Sequence, residues 1–157
     1  PCFGCYAMKG RYRFSNVRAA LERRLASLDH PDWITAMVTL IKGQPWFRWH
    51  DSGDLQSHDH LKNIFEVCKL TPETRHWLPT QERQYLPADP ATVPDNLIIR
   101  LSGSKVDGPA PKAWPWTSSV VTTEDQRTCP APTQSNECKD CRACWDRSTG
   151  DVAYGKH

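Results

Sequence analysis

The chain has 157 residues, 38% of them hydrophobic and 10% aromatic, with 20 Lys and Arg against 18 Asp and Glu. That length fits one domain with enough chain to bury a core, and the composition is too apolar for a disordered segment. Mean hydropathy is −0.65, and no apolar run approaches the ~20 residues of a bilayer span, which excludes a transmembrane helix and any membrane partner reached that way. No signal-peptide pattern is present. The chain starts Pro1-Cys2 without an initiator methionine, so an upstream element is expected to be missing.

In chain order, Ser15 reads as an N-cap, followed by Val17, Leu21, Leu25 and Leu28 at helical spacing. Asp29-His30-Pro31-Asp32 breaks that helix. Ile34, Met37, Val38 and Ile41 form the apolar face of a second, ended by Gly43. Trp46 to His50 is short, aromatic-rich and bounded by Pro45 and Gly53, the pattern of a strand. Ser57 caps a third helix whose apolar face is Leu61, Ile64, Phe65 and Cys68, which makes Cys68 a buried, inert thiol. Arg75 to Leu78 reads as the next strand. Strand, helix and strand over this length form a βαβ unit, so the two strands are expected to be parallel. Residues 81–95, with Pro87, Pro90 and Pro94, allow a helical turn and loop. Asn96 to Leu101 is the most apolar strand, and Thr117 to Thr123 adds a β-branched one. The expected fold is a single α/β domain over 1–157: a small, part-barrel-like parallel sheet of three to four strands with βα units, N-terminal helices and a cysteine-rich C-terminal loop region.

Net charge is +2, but residues 1–24 hold six basic side chains against Glu22 alone. That basic segment is a solvated helix face or a contact for nucleic acid.

Seven cysteines are an odd number, and six of them cluster toward the chain ends. Cys2 and Cys5 form C-x2-C. Cys138, Cys141 and Cys144 form C-x2-C-x2-C, with Cys129-Pro130 nine residues upstream. Without a secretion signal, clustered thiols read as metal ligands rather than disulfides. Structural zinc sites use pairs of cysteines. A C-x2-C-x2-C triplet instead matches three corners of a cubane, the fourth coming from a remote cysteine commonly followed by proline. The expected cofactor is therefore a 4Fe-4S cluster held by Cys138, Cys141, Cys144 and one of Cys129, Cys5 or Cys2, with zinc as the alternative. Trp145 is placed to shield such a site, and Lys139 and Arg142 to donate to its sulfurs.

Ligands of parallel sheets gather at the carboxyl ends of the strands. His50, Asp51, Asp54, Thr80, Arg100 and Ser102 are expected to share a pocket there, with proton transfer or metal binding as its chemistry. Arg48 and Arg100 lie inside strands, and a charge there needs a partner, for which Asp51 and Asp54 are the candidates. No P-loop, nucleophile elbow, dinucleotide fingerprint or H-E-x-x-H motif is present.

Four segments together resemble a family of bacteriophage-encoded proteins called gene product eighty-eight. They are Cys5-Tyr6-Ala7 with Lys9-Gly10-Arg11-Tyr12-Arg13-Phe14, then Phe47-Arg48-Trp49-His50-Asp51-Ser52-Gly53-Asp54, then Ile99-Arg100-Leu101-Ser102 running to Val106-Asp107-Gly108-Pro109. The last is Cys129-Pro130-Ala131 with Cys138 to Trp145 and Tyr154-Gly155-Lys156-His157. The resemblance implies a phage origin, hence the host cytoplasm, and a cysteine-bound cofactor. It also implies a distant similarity to radical SAM part-barrels, from whose C-x3-C-x2-C pattern this chain departs. The functional expectations are a cluster protein with a redox partner or a structural role, a zinc-stabilised nucleic-acid-binding module, or a radical SAM-like enzyme.

Overall fold

A computed structural model describes residues 6–156. Five strands lie side by side in chain order and all pair in parallel: β1 (Trp46–Arg48), β2 (Arg75–Thr80), β3 (Leu97–Val106), β4 (Thr117–Val121) and β5 (Asp151–Gly155). The α/β class and the parallel βαβ unit are as expected, but the strand number is not. The fifth strand is only Asp-Val-Ala-Tyr-Gly, with too little β-branched or aromatic character to stand out before its partner β4 is known. The cysteine-rich segment is correspondingly no terminal appendage: it is the crossover from β4 to β5.

Three α-helices precede or link the first strands: α1 (Ser15–Ala26), α2 (Trp33–Ile41) and α3 (His58–Leu70). Ser57 caps α3 as expected, its hydroxyl accepting from the backbone N–H of His60 at 3.0 Å. Ser15 does not cap α1. It is the first helical residue, and Phe14 takes the capping position without a side-chain bond. α1 buries none of its residues, and of its expected apolar stripe Leu28, just past its end, packs against the core. α2 ends at Lys42 and Gly43, whose φ of 86° suits glycine. β1 stops at Arg48, short of the expected His50, because His50 adopts a left-handed φ of 56° that cannot continue a strand.

Strand periodicity sorts the sheet into two faces. One face carries Phe47, His76, Leu78, Leu97, Ile99 and Leu101, and it forms one core with Trp33, Ile41, Leu61, Ile64, Val67 and Cys68 of α2 and α3. Cys68 is fully buried, as its place on the apolar face of α3 implies. His76 ties the layers together, its Nε2 lying 2.9 Å from the Thr71 hydroxyl at the end of α3.

The other face carries Arg48, Trp77, Ile98, Arg100, Ser102, Ser118, Val152 and Tyr154. β2 and β5 are three strand positions apart, roughly 14 Å in a flat sheet. The rings of Trp77 and Tyr154 nevertheless stack at 6.4 Å. The sheet is therefore curled, a half-barrel whose concave face is this second one, and the β4–β5 crossover lies in it.

Candidate metal centre and the strand-end residues

Arg100 organises the crossover. It is fully buried in the middle of β3. Its guanidinium donates to the carbonyls of Ala143, Cys144, Asp146, Thr149 and Gly150, and to that of Thr117. Five donors in a rigid plane can serve such a ring of carbonyls, which a lysine's point charge cannot. The expected partners Asp51 and Asp54 are not used: the charge is met by peptide dipoles from the segment 143–150. Beside it, Trp145 Nε1 donates to the Phe47 carbonyl at 3.1 Å, and Arg147 donates to those of Val93, Pro94 and Leu97. These bonds hold Cys144 and Trp145 against the concave face.

Cys129 arrives from the other side. Its backbone N–H donates to the Ala153 carbonyl at 3.0 Å, and the Thr128 hydroxyl accepts from the Ala153 N–H at 2.8 Å. Cys129 is thus fixed to β5, whereas Cys141 closes a tight turn onto the Cys138 carbonyl at 2.9 Å. The consequence is one small cavity lined by Cys129, Cys138, Cys141 and Cys144, with Trp145 and Val152 as its apolar wall. All four thiols are free. About 280 Å³ between these side chains is unfilled by atoms, part of it open to solvent, but only about 10 Å³ of it admits a water-sized sphere.

The thiols differ in exposure: Cys144 is buried, Cys129 and Cys141 are intermediate and Cys138 is exposed. Burial raises the Cys144 thiol to about 11, against which a hydrogen bond with the Tyr154 hydroxyl at 3.0 Å and the nearby Arg100 charge pull downward. Burial likewise raises Tyr154. Four thiols and no carboxylate or imidazole make a soft donor set suited to iron–sulfur or zinc chemistry. Among the described residues, no three His, Cys, Asp or Glu side chains stand close enough to share one metal ion. Cys2 and Cys5 lie outside the described residues.

From this cavity an aromatic series runs outward. Tyr154 stacks on Trp77 at 6.4 Å, Trp77 meets Trp145 edge-on at 5.1 Å, and Trp145 meets Trp46 at 5.8 Å. Trp46 is 39% exposed. Arg48 caps the ring of Trp77, and Arg142 that of Trp46. Arg142 also donates to the carbonyls of Lys139 and Cys141. Its Nη1 is thus committed to the turn and its plane lies over Trp46, with no bond to a sulfur among the described residues.

The residues expected to share a strand-end pocket fall into two groups. Asp54 meets Thr80 at the carboxyl edge of β1 and β2, with His50 within electrostatic reach of Asp54, whereas Asp51 bonds Tyr12. The Thr80 hydroxyl donates to Asp54, whose carboxylate also accepts the backbone N–H groups of Leu55 and Gln81 at 2.8 Å each. Asp54 therefore pins the β1–α3 loop to the end of β2. Asp51 accepts from the Tyr12 hydroxyl at 2.6 Å, anchoring the N-terminal segment. The His50 ring is buried beside His60, 5.5 Å away, and burial lowers it to about 4. Arg100 and Ser102 belong elsewhere, on the concave face, where the Ser102 hydroxyl pairs with that of Ser118 at 3.1 Å. Alternation along β3 puts both side chains on that face, away from the loop at the end of β1.

The model of the bacteriophage family described as Gene product 88 matches residues 1–147. No curated protein matches the chain, and no solved structure does. No described helix is long and apolar enough to cross a membrane.

Proposed function

We propose that this chain, which belongs to the Gene product 88 family, is an iron–sulfur protein that holds one 4Fe-4S cluster through Cys129, Cys138, Cys141 and Cys144. The observation that carries the reading is the convergence of these four thiols, and no harder ligand, on a single cavity. A tetrahedral zinc needs its sulfurs about 2.3 Å from one centre. Cubane ligands each bind their own iron and so stand further apart around a shared space. The C-x2-C-x2-C spacing of Cys138, Cys141 and Cys144 is the ground for preferring the cluster to zinc. Of the three candidates for the fourth ligand, Cys129 is the one described at this cavity. The space between the thiols is close to one water in size, so Cys129, Cys138, Cys141 and Cys144 would hold a cluster only with the turn that bears exposed Cys138 displaced outward.

When bound, the cluster supplies a one-electron centre. The chain's own residues do the rest. Trp145 and Val152 keep water from the cavity wall, and Arg100 locks the Cys144 segment to the sheet. The Tyr154–Trp77–Trp145–Trp46 series offers an electron a path of short ring-to-ring steps to the surface, where a redox partner would meet it.

Anaerobically purified protein is expected to be brown, absorbing near ~400 nm, with about four irons per chain. Cys129→Ser is expected to lose that iron and Cys5→Ser to keep it. The opposite pattern would move the fourth ligand to Cys5. A colourless protein with one zinc would overturn the cluster and leave the zinc module.

A further inference from the structure

Opposite the carboxyl edge of the sheet, a second cavity of about 550 Å³ opens where β1, β2 and β3 begin. It lies within the size range of small-molecule sites. Leu97 and Ile98 line it, and so do Ala143 and Trp145 of the crossover, which also border the cysteine cavity. Beside Asn96 and Thr149, the remaining lining is charged and aromatic: Trp46, Arg75, Arg142 and Arg147 against Asp95 and Asp146.

The charges do not cancel where it matters. Arg147 is taken up by three backbone carbonyls, by Asp95 at 3.7 Å and by the ring of Trp116. The Asp146 carboxylate is turned into its own loop, accepting the Ser148 N–H and hydroxyl at 2.8 and 2.7 Å. Two guanidiniums remain for a guest. Arg75 is exposed at the start of β2 and makes no side-chain hydrogen bond or ion pair among the described residues. Arg142 meets only two carbonyls and the face of Trp46, at 5.0 Å. Guanidinium forks bind phosphate oxygens in pairs, and indole and guanidinium planes stack on nucleobases. A carboxylate or free phosphate would use the arginines and leave the two tryptophans idle.

We propose that this amino-edge cavity binds a nucleotide, its phosphate on Arg75 and Arg142 and its base against Trp46 and Trp145. The phosphate ester can come from a free mononucleotide or from a single-stranded nucleic acid entering by one unit. The site does not depend on a metal at the cysteines.

Titration of the intact chain at low salt, followed by tryptophan fluorescence and calorimetry, tests this with AMP, UMP, the matching nucleosides, inorganic phosphate and a short oligo(dT). Either AMP or UMP is expected to bind and quench, more tightly than its nucleoside or phosphate alone. Arg75→Gln, whose side chain supports nothing else in the fold, is expected to weaken binding about tenfold or more, the scale of one charge-assisted hydrogen bond. Oligo(dT) binding alone, weakened equally by Arg75→Gln, supports the site with a strand as the source. No binding by any of these, or binding indifferent to Arg75→Gln, overturns the proposal. The latter would point to the basic N-terminal segment instead.

Discussion

One guanidinium, that of Arg100, donates to six carbonyls, of which those of Ala143, Asp146 and Gly150 also accept a backbone N–H. Removing it takes a donor from the remaining carbonyls, that of buried Cys144 above all, and an unsatisfied buried acceptor costs about 1–3 kcal/mol. Arg100→Met is expected to lower unfolding stability by at least about 3 kcal/mol, measured by urea denaturation. Arg100→Lys is expected to recover only part of this, since its ammonium cannot span the ring of carbonyls. A second readout separates local loosening from global loss: the buried Cys144 should react faster with a disulfide reagent under conditions where the sheet is still folded. The histidines act in a different way. Burial lowers His50 and His76 from 6.5 to about 4, and lowers His60 as well. Below pH 6.5 the unfolded chain therefore binds protons that the folded chain refuses until about pH 4. Their contribution is complete above pH 6.5 and lost as pH falls toward 4, at up to about 1.4 kcal/mol per pH unit for each histidine. The urea midpoint should fall between pH 7 and pH 5, and His76→Asn should flatten that slope whatever it does to absolute stability. Equal midpoints in the wild-type chain would contradict the assignment.

At the level of elements, α3 is the helix whose start is most strongly specified. Ser57 caps it and Asp54, three residues earlier, fastens the same loop to β2. Ser57→Ala is expected to cost about 1 kcal/mol, read as a shift in thermal midpoint, whereas Ser15→Ala should be nearly silent because Ser15 caps nothing. The contrast marks what a sequence makes legible. Apolar spacing located α2, α3 and the first four strands, because each buries one face and the period follows from that burial. β5 has no such signature, since its identity comes from the β4 strand it pairs with. Spacing singles out the triplet and leaves Cys129, Cys5 and Cys2 as rivals for a fourth place, but it does not show where Cys129 lies, because Ala153 of the unforeseen strand sets that. As a charge inside a strand, Arg100 calls for partners, and in a sequence only carboxylates stand out as candidates. Backbone carbonyls carry no mark in a sequence, and these lie 43 to 50 residues further along the chain apart from Thr117.

For the molecule as a whole, strand order and chain order coincide. Each strand can be added to the growing edge of the sheet as the polypeptide is made, with no earlier gap to fill. The two outer edges are treated differently. β1 is only three residues long, too short to template another chain, while the backbone of Thr128 and Cys129 covers part of β5. The Arg100 clamp gives this sequence of events a timetable. Its strand is laid down third, so during synthesis the guanidinium stays hydrated until the segment 143–150 emerges and replaces that water. Cys129 takes its final position later still, when Ala153 docks. A metal captured by all four thiols would therefore be acquired late, by a nearly complete scaffold, and would serve to seal the half-barrel rather than to nucleate it.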